Sequence, residues 1–264
     1  MKILDFEILD KQLLKDILDE MVWSFSRLNS FHTCKRMFYK RYVLEDESEN
    51  NFFAQYGSFV HHILEMYSKK EIELFDIIPY YKENFDSFIS EEAPPNNYVD
   101  LREQYFNKGL RYFESFDGFD DTAIGVEQEI NLDIELSDMT IKFIGYIDRL
   151  SKDENGNLKV LDHKSKSAFK NDKELKEYLR QLYLYSIFVK QQYDKYPTKL
   201  EFNMFKENDV VTCDFNKDEL EESIQWVEDT IHAIYDEEDF LPKSENPYND
   251  FFCRYICGYK GLCM

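Results

Sequence analysis

No run of residues in this chain approaches the ~18 consecutive apolar positions that a membrane-spanning helix needs, which argues against an integral membrane protein. There is no internal repeat and no low-complexity tract, so neither a solenoid nor a long disordered arm is expected. No Gly-x-x-x-x-Gly-Lys-Ser/Thr string occurs, so no P-loop for a nucleotide triphosphate is present. The opening residues, Met1-Lys-Ile-Leu-Asp-Phe-Glu, carry acids where a secretory signal has a basic and then an apolar stretch. Cysteine is scarce and odd in number, five in all, which suits a reducing compartment better than a disulfide scaffold. The expectation is a cytoplasmic protein.

What is abundant is negative charge. The net charge is −21 over 264 residues, which taken alone argues against a polyanion as partner. Its distribution changes the picture. Residues 24–41 hold Arg27, Lys35, Arg36, Lys40 and Arg41 and no acid. Residues 159–176 hold six lysines against Asp162, Asp172 and Glu174. The acids crowd elsewhere, as at Glu45-Asp-Glu-Ser-Glu49 and 236–239. Two readings stay open: a basic channel on an acidic body, compatible with nucleic acid and strongly salt dependent, or ordinary solvated helix charges.

Two strings are the most informative. Gly145-Tyr-Ile-Asp148-Arg149 and Leu161-Asp162-His163-Lys164 flank an Asn155-Gly156 step, a strong hairpin signal. As neighbouring antiparallel strands they put Asp162 and Lys164 on one face, because i and i+2 side chains point the same way, and bring Asp148 alongside. Ile141, Phe143, Ile144, Ile147, Leu158, Val160 and Leu161 make the flanks apolar, and charges set in buried strands call for a reason. Two carboxylates and an ammonium are the set that metal-assisted phosphodiester hydrolysis uses. Hard carboxylate oxygens suit Mg²⁺ or Mn²⁺, and a lysine steadies the attacking oxygen or the developing charge.

Along the chain, helices are expected over 3–20, 24–43, 52–70, 72–90 and 98–116, strands over 123–136, 139–150 and 158–165, a helix over 172–193, a second hairpin over 199–206 and 209–215, and a helix over 217–236. The expected class is α/β (α+β), a small mixed sheet flanked by helices with a helical N-terminal part. Residues 1–22 read as an arm and 23–264 as one domain, with 23–120 helical, 121–236 the catalytic core and 237–264 a cysteine-rich closure.

Supporting residues cluster by spacing. Gly57-Ser-Phe-Val-His61 lies on the helix 52–70, and His61 could lend a nitrogen to the same metal. Gln181 and Tyr185 are i and i+4 and share a helix face. Arg149 either contacts phosphate or pairs with an acid. Cys253, Cys257 and Cys263 crowd the tail, and Cys34 is the fourth candidate. Four thiolates hold tetrahedral Zn²⁺ or a 4Fe-4S cluster. Zinc sites usually use two close pairs, so the one-plus-three arrangement favours the cluster, as a staple between distant segments. Cys213 alternates in a strand and reads as core.

In order, these pieces resemble the PD-(D/E)xK nuclease superfamily, specifically the RecB-like and AddB-like iron–sulfur exonucleases and the CRISPR-adaptation nucleases related to them. Ser24-Phe-Ser26 through Cys34-Lys-Arg36 resembles the first-cysteine segment, Gly57-xxx-His61 the histidine motif, the two acid strings the acid motifs, Gln181-xxx-Tyr185 the helix motif. The resemblance implies a restriction-endonuclease-like core. It implies a divalent metal on His61, Asp148, Asp162 and the backbone carbonyl of His163, with Lys164 catalytic. It further implies a 4Fe-4S cluster on Cys34, Cys253, Cys257 and Cys263, although the family usually places two residues, not three, between the first two tail cysteines. The function implied is a metal-dependent DNA exonuclease acting on single strands or linear ends in recombination, repair, or phage or CRISPR DNA processing. Any helicase or recombination motor is then a separate partner chain. A non-catalytic end-binding subunit and a structure-specific endonuclease are the rivals.

Overall fold

The structure, a computed structural model, describes residues 9–259. Helix starts follow side-chain caps. Asp10 accepts from Gln12 N and Leu13 N to open α1 (Lys11–Asp19). Ser24 accepts from Arg27 N to open α2 (Phe25–Thr33), and a short α3 (Lys35–Phe38) runs into a π turn at Tyr39–Val43. The helix expected over 24–43 is thus broken at Cys34, whose backbone is extended. Asn51 caps α4 (Phe52–Ser68). A 3-10 turn at Leu74–Asp76 precedes α5 (Ile77–Phe88), where Pro79 falls in the first turn and forfeits no helical hydrogen bond. Asp100 caps α6 (Leu101–Ser115).

Then follow β1 (Thr122–Glu135), β2 (Thr140–Lys152), β3 (Leu158–His163), α7 (Asp172–Tyr193), β4 (Lys199–Met204), β5 (Asp209–Asp214) and α8 (Lys217–Tyr235). The five strands form one mixed sheet in the order β1-β2-β3-β4-β5. The hairpin around Gly156 forms as the sequence indicates: Arg149 pairs with Leu161 and Lys152 with Leu158. Asp153 organises the turn through its carboxylate, accepting from the backbone of Asn155 and Asn157, while Gly156 takes φ +81°. β3 and β4 are parallel, linked through α7, and β4 and β5 close a second hairpin. The α/β class is as read from the sequence, a small mixed sheet flanked by helices.

The chain divides into two compact units. One comprises the described parts of Met1–Asn50 and Glu221–Met264 together with Asn131–Ile144; the other comprises Asn51–Ile130 and Gly145–Leu220. In the first, Trp23 bridges to Phe143, and Phe240 stacks on Phe38 while its carbonyl accepts from Arg36 Nε at 2.8 Å. In the second, α4, α5 and α6 share an aromatic core of Phe52, Tyr56, Phe59, Tyr81, Phe85 and Phe113, joined by Phe205. Aromatic pairs at these separations add about 0.5–1.5 kcal/mol each beyond area burial. Among the described residues no helix is long and apolar enough to cross a membrane.

Candidate active site

All the catalytic and metal candidates read from the two acid strings and the histidine motif fall in the second unit. One residue beyond the Arg149–Leu161 rung lie Asp148 and Asp162. Asp148 Oδ2 accepts the His163 backbone N–H at 2.6 Å. Asp162 is buried, and Lys164 Nζ stands 2.6 Å from its Oδ2, although that oxygen has no hydrogen bond of good geometry. Lys164 also donates to Gln181 Oε1 at 3.0 Å, and Gln181 Nε2 donates to the Tyr185 hydroxyl at 3.0 Å. Spacing i, i+4 on α7 therefore makes a short polar chain that ends on the lysine. Gly145 leaves room for it: a Cβ there would come within 2.6 Å of Tyr185 Cε1.

His61 reaches the same place from α4. Its Nε2 is 2.7 Å from the His163 carbonyl and its Nδ1 is 3.5 Å from Asp148 Oδ2. The carbonyl only accepts, so Nε2 carries the proton and Nδ1 turns a lone pair toward a carboxylate oxygen. Burial holds the His61 pKa below its ordinary value, so an imidazolium is not the natural remedy. Burial and the nearby Asp162 push the Asp148 carboxyl up, well above the usual carboxylate range. A cation between these atoms satisfies both groups. The residues present therefore fit a divalent ion.

His163 contributes only its carbonyl here. Its ring is buried, 2.9 Å from Asn203 Nδ2, and burial holds it neutral. Arg149 resolves to the second of its two readings. It points to the other sheet face, where it bonds the Asp121 carboxylate and lies 4.1 Å over the Phe119 ring. Asp121 is also held by Lys159 at 2.5 Å and by the Ser151 hydroxyl at 2.8 Å. This buried network takes Arg149 out of reach of a substrate at the acids.

One residue was missed by sequence reasoning. Glu127 of β1 has a donor oxygen within 4.8 Å of donor atoms of both His61 and Asp148. Burial and the Asp148 charge push its carboxyl up to about 7. The available signal was Gly125: an isolated glycine in a strand marks a kink that re-aims its neighbours. His61 and Glu127 border an open hollow of about 460 Å³, lined also by Gly57, Ser58, Glu65 and Ser165.

In the first unit Cys34, Cys253 and Cys257 are all buried. Cys34 Sγ accepts Lys243 N at 3.4 Å. Burial first, then the charge of Asp250, pushes the Cys253 thiol up to about 12. Residues Phe252–Ile256 form a π turn closed by Cys257 N to Phe252 O at 2.8 Å. Such a turn absorbs one extra residue, and here it sits in the Cys-x-x-x-Cys segment. Cys263 lies outside the described residues.

A family model of the PD-(D/E)XK nuclease superfamily matches residues 22–264, and the chain belongs to that superfamily. Its members are nucleases that use divalent metals, in keeping with the acidic site just described. No curated protein matches the sequence. A solved structure titled "Crystal structure of SSO0001" is similar over 96% of this chain and 94% of that chain, at 16% identity and a TM-score of 0.41.

Proposed function

We propose that this nuclease-superfamily member is a divalent-metal-dependent DNA exonuclease of the RecB-like and AddB-like iron–sulfur kind, acting on single strands or linear ends. The observation that carries the catalytic part is the gathering of His61, Asp148, Asp162 and Lys164 on one side of the β2–β3 hairpin, with Lys164 2.6 Å from Asp162. His61, Asp148, Asp162 and the His163 carbonyl hold Mg²⁺ or Mn²⁺, the carbonyl becoming a donor as His61 gives up its Nε2–H bond to it. When bound, the ion neutralises phosphate charge and acidifies a water. Lys164 steadies the attacking oxygen or the charge developing on the phosphate. Gln181 and Tyr185 orient Lys164 and touch no reacting atom. Lysines 164, 166, 170 and 206, on or facing the loop after β3, supply charge for the DNA backbone.

Cys34, Cys253, Cys257 and Cys263 hold a 4Fe-4S cluster. Support comes from the burial of all three described thiols and from the π turn that takes up the extra residue between Cys253 and Cys257. A helicase or recombination motor is the proposed partner.

The test is anaerobically purified protein incubated with end-labelled linear and closed circular DNA, with and without Mn²⁺, beside Lys164→Ala and Asp162→Ala. The expected result is metal-dependent loss of linear DNA only, absent in both variants, which still fold and bind DNA. Cleavage of circles makes it an endonuclease. Inactivity of folded, metal-replete protein makes it a binding subunit. Retained activity in both variants overturns the site assignment.

A further inference from the structure

We infer that Glu127 is a direct ligand of the catalytic cation, held in place by a left-handed backbone kink in β1. The inference rests on the nuclease reading above. Inward alternation along β1 is regular at Ile130, Leu132 and Ile134 and lapses over residues 125–128. Within that lapse Glu127 takes φ +47°. A residue with a Cβ in this region carries a penalty of about 1–2 kcal/mol, which glycine avoids and asparagine or aspartate reduces. Glutamate is among the poorer choices if only a kink is needed. Strain of this kind concentrates where the side chain has a task, and a strand kink turns a side chain from the face its position dictates.

Here the turned side chain arrives at an acid–histidine pair. Donor atoms of Glu127, Asp148 and His61 lie within 4.8 Å of one another, and they come from β1, β2 and α4. No lysine or arginine bonds to the Glu127 carboxylate among the described residues, whereas Glu65, on the same hollow, pairs with Lys69 at 2.5 Å. Two carboxylates and a lone-pair nitrogen that converge with no lysine or arginine among the described residues bonded to any of them are complementary to a divalent ion. A nitrogen donor among the oxygens favours Mn²⁺ over Mg²⁺.

The experiment titrates Mn²⁺ into the full-length protein without DNA, by calorimetry or by loss of the free-ion electron paramagnetic resonance signal. Four variants are compared: Glu127→Gln, Glu127→Gly, Glu65→Gln and Asp148→Asn. Glycine keeps the kink and removes the ligand. Both Glu127 variants are expected to bind Mn²⁺ more than about 100-fold more weakly, beyond the about 10–100-fold that loss of an outer-shell partner costs, with Glu65→Gln near wild type. In EDTA, Glu127→Gly is expected to melt no lower than wild type, since strain and repulsion both fall. Wild-type Mn²⁺ affinity in Glu127→Gly, with binding lost in Asp148→Asn, overturns the assignment of Glu127 and leaves the nuclease reading intact. No Mn²⁺ binding by wild type overturns both.

Discussion

Replacing Gly145 by alanine tests whether the catalytic lysine is held from α7. The added Cβ would sit 2.6 Å from Tyr185 Cε1, 3.1 Å from its Cζ and 3.2 Å from Ile130 Cδ1. Carbon atoms pack at about 3.5–4.0 Å, so the ring must retreat by about 1 Å. Tyr185 is only 5% exposed and cannot swing into solvent. Overpacking of this kind costs about 1–3 kcal/mol. For a chain of this size about 2 kcal/mol lowers the melting temperature by about 4–8 °C. The retreat also draws the Tyr185 hydroxyl from Gln181 and loosens Gln181 on Lys164. A misplacement near 1 Å at a catalytic group lowers turnover by about 100-fold. The assays are thermal melting and kcat on linear DNA for Gly145→Ala, Tyr185→Leu and the double variant. The double variant is expected to melt above the sum of the two single losses, because the smaller side chain accepts the methyl. Its kcat stays low, because the hydroxyl is gone. Wild-type melting and kcat in Gly145→Ala refute the reasoning.

Two further outcomes follow from buried charge. Asp121→Asn leaves the Arg149 guanidinium, 3% exposed, without its anion; the expected loss is about 3–5 kcal/mol of unfolding free energy in a urea titration, and a loss below about 1 kcal/mol places this network with the weak surface pairs. Glu127 gives a pH dependence with a definite sign. Its folded-state carboxyl is raised from 4.5 to about 7, so the unfolded chain ionises first, and metal-free stability falls as pH rises across that window. Asp148 acts in the same direction. Urea midpoints in EDTA are expected to drop between about pH 5 and about pH 7.5, less so in Glu127→Gln and with Mn²⁺ present; parallel curves for wild type and Glu127→Gln would sink the assignment of this slope.

The sheet, both hairpins and the long helices were legible because their signals are local, as in the Asn155-Gly156 step and the apolar flanks of the two acid strings. The acid–acid–lysine arrangement followed from strand period and one turn. What was not legible depends on distant partners. Arg149 carries no mark that Asp121, 28 residues earlier, neutralises it. Glu127 looks like any polar strand residue until its φ is known. The break at Cys34 inside an apparently continuous helix, and the π turn between Cys253 and Cys257, follow from neighbours far along the chain. The division inside β2, between Ile144 and Gly145, has no compositional trace.

The strand order has a further consequence, for solubility. β1 and β5 are the two ends of an open sheet, and the unpaired backbone of an end strand invites a second chain to add on. β1 carries Glu129, Asp133 and Glu135, and β5 begins and ends with Asp209 and Asp214. Acids of one sign on both borders repel the borders of another copy. Part of the −21 charge that first spoke against a polyanionic partner thus guards the sheet against self-templating. That guard weakens as the solution is acidified toward the isoelectric point near 4.6.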